Sequence, residues 1–160
     1  MVTIGFFSND TFMPKLIKFI THSPVNHVAV GFMQDGKPMW LESSSSGVKI
    51  VDRGYLSGLY AEFEIIPDVY NEVILAEKKV GEPYADLTML GYLFVYLGRL
   101  LHIKINNPFY EKSAAVCSEF IIEMDSEFII HEFQSLDPAD VSPDDLLDIC
   151  ERGRSFKKIL

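Results

Sequence analysis

The chain has 160 residues, 48% of them hydrophobic and 12% aromatic, with a formal net charge of −9. Twelve Phe, seven Tyr and one Trp can fill a core, which excludes a disordered chain, and the length fits a single domain over residues 1–160, because single folds run to roughly 100–200 residues. Fourteen Lys and Arg against twenty-three Asp and Glu argue against nucleic acid, whose affinity comes mainly from cations meeting phosphates, and against an electrostatic hold on anionic membranes.

In chain order, Val2–Phe7 reads as a buried strand, and Pro14 opens an amphipathic helix, Pro14–Ile20, ended by the turn Ser23-Pro24. The apolar runs His27–Met33 and Pro38–Glu42 flank Gln34-Asp35-Gly36-Lys37, the pattern of a hairpin. Gly47–Val51 and Tyr60–Ile66 read as two more strands. From Pro67 the period becomes helical. Val69–Lys79 is broken by Gly81-Glu82-Pro83, and a very apolar second helix covers Ala85–Leu101. Residues 102–113 read as a loop, Ala114–Ile130 as a third helix and Ser142–Arg152 as a fourth, with Pro143 in its first turn. The order gives an α+β layout, helices packed on a small antiparallel sheet.

The charge is uneven. Residues 1–112 carry ten basic and twelve acidic side chains, residues 113–151 carry eleven acidic and no basic ones, and the tail holds Arg152, Arg154, Lys157 and Lys158. The simplest reading is a solvated acidic face with a basic tail folding back on it; a docking face for a cationic partner is the alternative. Two cysteines cannot make a disulfide framework, and no Cys/His spacing resembles a zinc site, so no metal is expected. The first ten residues lack a basic start and a long apolar stretch, and the uncharged run Leu87–Gly98 is shorter than the roughly twenty residues a bilayer span needs. The expectation is a cytoplasmic protein without a membrane span.

Four residue types could carry chemistry. Cys117, at the expected start of the third helix, sits where backbone amides and the helix dipole favour a thiolate, and the small Ala114 and Ala115 before it leave room for a substrate. A buried structural cysteine is the plainer alternative, and Cys150, between Ile149 and Glu151, is the built-in control. His27 starts an apolar strand, where its ring can reach a neighbouring helix start, as a general base for a thiol must. His22, His102 and His131 read as surface or capping residues. Glu42 ends the strand expected to pair with that of His27, so the two side chains can meet on one face and the carboxylate can hold the imidazole. A solvent-exposed strand-end carboxylate is the alternative. Tyr84 could point a hydroxyl into the site or serve as a core aromatic.

Together these segments resemble the circularly permuted NlpC-type papain-like cysteine hydrolases, the YiiX-like group. Phe19-Ile20-Thr21-His22-Ser23-Pro24-Val25-Asn26-His27-Val28-Ala29-Val30 is similar to their histidine motif, and Trp40-Leu41-Glu42-Ser43 followed by Gly47-Val48 to the element bearing the acidic third member. Gly81-Glu82-Pro83-Tyr84 resembles their Gly-x-x-Tyr segment, and Val116-Cys117-Ser118-Glu119-Phe120 their nucleophile motif. Ser142-Pro143-Asp144-Asp145-Leu146 is similar to their C-terminal helix start. The segments run over residues 1–150 with His before Cys, the permuted order. At Tyr84-Ala85-Asp86 the chain departs from relatives that have Asp directly after Tyr, which leaves Tyr84 rather than Asp86 as the candidate.

The resemblance implies a papain-like fold and a peptidase or amidase that cleaves a cell-wall peptide or related conjugate without a cofactor. Cys117 would be the nucleophile, His27 its base and Glu42 the residue orienting His27. The oxyanion would lie against the backbone N–H of Cys117 and neighbouring amides at the helix start, that of Ser118 among them, with Tyr84 beside it. Two other functions stay open. A thioesterase, lipase or acyltransferase, as in the related lecithin retinol acyltransferase group, could use Leu87–Leu101 as an acyl pocket, although that group often has a second His where Glu42 stands. A non-catalytic module, for instance in a phage particle, could use the acidic stretch as its partner face. Delivery by a phage particle would also bring a wall hydrolase to its wall.

Overall fold

The computed structural model describes residues 1–8, 23–44, 46–82, 98, 101–103, 105, 117–125, 127 and 129–160. The expected helices Pro14–Ile20 and Ala85–Leu101 fall outside these residues, apart from Gly98 and Leu101, as do His22, Tyr84, Asp86 and the stretch 114–116.

Six strands form one antiparallel sheet: β1 (Thr3–Phe7), β2 (His27–Gln34), β3 (Lys37–Ser44), β4 (Gly47–Asp52), β5 (Leu59–Ile65) and β6 (Phe156–Lys158), in the spatial order β4-β3-β2-β1-β5-β6. The α+β layout with a small antiparallel sheet is therefore observed. Alternation along the strands builds two cores. On one face Ile4, Phe6, Val28, Val30, Leu41 and Phe63 join the helices in a single cluster, with Phe6 and Phe63 edge to face at 5.8 Å. On the other, Phe7, Ala29 and Trp40 pack with Val51, Leu56 and Leu59. β1 is buried along its whole length because both its faces are covered.

Glycine makes the second core possible. A Cβ on Gly5 would stand 2.5 Å from the Trp40 ring, and one on Gly31 2.7 Å from it, so the indole lies over bare backbone. The Arg53 guanidinium sits 4.4 Å above the same ring and pairs with Glu62. The β2–β3 hairpin turns at Asp35 and Gly36, both with positive φ (50° and 75°), the two-residue turn that matches strand twist.

Three α-helices are described: α1 (Tyr70–Ala76), continued as a 3-10 turn over Glu77–Lys79, α2 (Cys117–Met124) and α3 (Pro143–Arg152). Gly81, at φ 93°, ends the first helical segment, and its N–H donates to the Val48 carbonyl at 2.9 Å, clipping the turn onto β4. The expected third helix does not run to Ile130. It stops at Met124, because the Asp125 carboxylate accepts the N–H groups of Ile129 and Ile130, both at 2.8 Å, and holds the chain in a turn. Ser142 caps α3 in a reciprocal box with Asp145. Among the described residues no helix is long and apolar enough to cross a membrane.

Candidate active site

His27 is the first residue of β2 and pairs with Phe7, where the register between β1 and β5 shifts. Pairing of Val30 with Leu41, continued toward the strand end, puts Ala29 opposite Glu42, so His27 and Glu42 are diagonal neighbours on one face. Their side chains meet: His27 Nε2 lies 2.7 Å from Glu42 Oε2. An ionised carboxylate only accepts, so Nε2 carries the proton in this pair and Nδ1 is left for a second partner. Cys117, the first described residue of α2, also acts on the His27 side chain, through hydrogen bonding and charge. Three candidates read from the sequence thus come together from β2, β3 and α2.

Burial shapes their charges. Glu42 is 2% exposed and Cys117 6%, while the His27 side chain retains 14%. Burial pushes the imidazolium of His27 down most strongly, but the hydrogen bonds and charges of Cys117 and Glu42 together outweigh it and raise the pKa to about 9. Burial likewise pushes the Glu42 carboxyl up, and His27 and Lys49 more than reverse this, leaving it below its usual value. The arrangement favours an imidazolium at His27, with the Cys117 sulfur and the Glu42 carboxylate as its partners.

Cys150 behaves differently. It is 2% exposed, burial pushes its thiol well up, and Glu132 and Glu151 push it further. His102 and His131 are solvent-exposed, His131 opening a 3-10 turn. The Ser118 hydroxyl is fully buried and donates to the Val141 carbonyl at 2.7 Å, so it is not the group that would meet an oxyanion. Tyr84 lies outside the described residues.

Sequence reading missed the ties that hold these elements together. Ser118 joins α2 to Val141, the residue before the cap of α3. Ser23, four positions before His27, donates to Asp144 Oδ1 at 2.8 Å in the first turn of α3. The nucleophile helix and the lead-in to the histidine strand are thus braced against one helix start. Ser23 shortly before His27 and the Ser-Pro-Asp-Asp start of α3 were the visible signals, but their partnership is long-range.

A separate groove of about 1110 Å³ runs beside α3, lined by Glu132, Asp137, Asp145, Asp148, Arg152 and Arg154 among others. None of His27, Glu42 and Cys117 lines it, and it does not belong to their chemistry. The basic tail contributes to its rim and is held down as β6 on β5, with Lys158 3.5 Å from Glu151 and Lys157 4.0 Å from Glu64.

No protein-family model matches the chain, and no curated protein matches it in sequence. Among solved structures it is similar to the crystal structure of the metalloprotein YiiX from Escherichia coli O157:H7, with a TM-score of 0.65 and 15% identity, over 99% of this chain and 94% of that one. The likeness is one of fold: the chain is an α+β protein with a YiiX-like fold. Among the described residues no three His, Cys, Asp or Glu side chains form a group that could hold a metal ion.

Proposed function

We propose that the chain is a papain-like cysteine hydrolase of the permuted NlpC type, cleaving an amide or peptide bond in a cell-wall peptide or related conjugate. The observation that carries the reading is the 2.7 Å charge-assisted bond between His27 Nε2 and Glu42 Oε2, with Cys117 acting on the same imidazole. The sulfur attacks the carbonyl carbon, and His27, carrying the thiol proton, passes it to the leaving nitrogen. A water then attacks the thioester carbon, gives one proton to His27 and releases the acid. The proton returns to the sulfur, so the cycle closes. The amides at the start of α2 would receive the oxyanion. Glu42 keeps the imidazole oriented and stabilises its cation.

The test is covalent. Incubation with muropeptides and with short-chain acyl esters, followed by intact-mass measurement, should trap an acyl adduct that Cys117→Ala abolishes and that muropeptides form. Adducts from the esters alone would move the reading to a thioesterase or acyltransferase. Equal rates of iodoacetamide modification at Cys117 and Cys150 would sink the activated nucleophile altogether.

A further inference from the structure

Glu42 does not stand between His27 and solvent. β3 and β4 pair so that Lys49 is directly opposite it, and Lys49 Nζ lies 3.2 Å from Glu42 Oε1 while Oε2 takes His27. One hydrogen bond would leave a carboxylate free to swing about its last torsion; two partners on its two oxygens fix its plane. Lys49 is itself fixed. Its ammonium donates to the Tyr55 hydroxyl at 3.2 Å and sits 4.7 Å from the centre of the Tyr55 ring, which draws a flexible side chain into one place. The groups acting on Glu42 are His27 from β2 and Lys49 from β4, with Cys117 of α2 beyond His27 and Tyr55 beyond Lys49.

We propose that Lys49 is a positioning residue of this site: by holding the Glu42 carboxylate in place and ionised, it fixes the orientation and charge of His27 toward Cys117. The inference rests on the reading of Cys117, His27 and Glu42 as a catalytic set. Lys49 touches no reacting atom and acts through Glu42. Without it, a buried carboxylate keeps a free oxygen, holds its charge less well and loses its grip on the imidazole as pH falls.

The experiment is the pH profile of Cys117 alkylation by iodoacetamide, read by mass on the intact chain, with circular dichroism as the check on folding. Lys49→Met should move the acid limb about one pH unit upward, a roughly tenfold slower rate at a fixed pH on that limb. Lys49→Arg should restore it, and Lys49→Gln replaces the Met variant should that not fold. In a Glu42→Gln background the same Lys49 substitution should change little. A Lys49→Met limb coincident with wild type overturns the proposal, and so does an equal shift in the Glu42→Gln background, which would mean a direct field on the thiol. The control is His27→Ala. If that variant leaves the wild-type profile unchanged, the catalytic reading itself fails; if it alters the profile and Lys49→Met does not, only Lys49 is misassigned.

Discussion

Glu42 shows how one residue can convert burial into function. A carboxylate that is 2% exposed is costly unless its charge is answered, and here it is answered twice, by His27 and by Lys49. Cys117 and the His27–Glu42 bond together outweigh burial and raise the imidazole pKa to about 9. In Glu42→Gln the amide oxygen can still accept from Nε2, so orientation survives while the countercharge disappears. The His27 pKa should then fall from about 9 by at least one unit, followed by NMR of the ring protons across a pH titration. An unchanged titration would show that Glu42 contributes geometry alone. At the catalytic level, leaving-group protonation needs the imidazolium, so wild-type turnover should decline as pH rises through about 9, and the variant should decline earlier. Much of this residue set was legible in the sequence: His27 opens an apolar strand and Glu42 sits fifteen positions on, across a hairpin announced by Asp35-Gly36. Lys49 was not, because its place depends on the register of β3 with β4, which residue types alone leave open.

At the scale of elements, the strands were the legible part, because period-two apolar runs and a turn dipeptide both act locally. Two boundaries and one charge pattern depended instead on specific partners that residue types do not reveal. α2 ends where Asp125 captures two later amides, although the apolar pattern continues through Ile129 and Ile130. β6 is three residues long and exists because β5 offers an edge. The eleven acidic residues of 113–151 read as one solvated face, yet Glu119 and Asp125 are buried and bonded. Two substitutions test the element-level packing. Gly31→Ala would drive a methyl into Trp40 on one side and the Thr3 hydroxyl on the other, and overpacking of this kind costs about 1–3 kcal/mol. Gly54, with open space around its Cβ position, is the matched control, and its replacement by Ala should be close to neutral. Ser142→Ala removes the cap of α3 and half of its box with Asp145, a loss of about 0.5–2 kcal/mol. Urea midpoints read all three; an unchanged midpoint for Gly31→Ala would mean that Trp40 does not rest on that backbone.

For the molecule as a whole, the His27–Glu42 contact ties stability to pH, and the sign can be worked out from both partners. His27 has a folded pKa of about 9 against 6.5 when exposed, so its contribution is complete below pH 6.5 and is lost as pH rises through about 9. Glu42 has a lowered folded pKa, so its contribution is present above about pH 4.5 and is lost as pH falls through its folded value. The share of each shift that His27 and Glu42 give each other describes one bond and is counted once; Cys117 supplies the larger share of the rise at His27. Converted at 1.36 kcal/mol per unit, the His27 shift corresponds to a stabilisation on the order of 3 kcal/mol. The difference in unfolding free energy between wild type and His27→Ala should therefore be bell-shaped in pH: largest near pH 5–6.5, smaller by pH 8, and mostly gone above about 9. The basic tail and its exposed pairs would not reproduce this curve, since Arg152 and Asp148, 3.2 Å apart and solvent-exposed, contribute little at any of these values. Urea unfolding of both proteins at half-unit steps from pH 4 to pH 10 measures the difference directly. A gap that stays constant to pH 10 would mean that His27 is held by packing rather than by charge, and the imidazolium would then have no part in either stability or proton transfer.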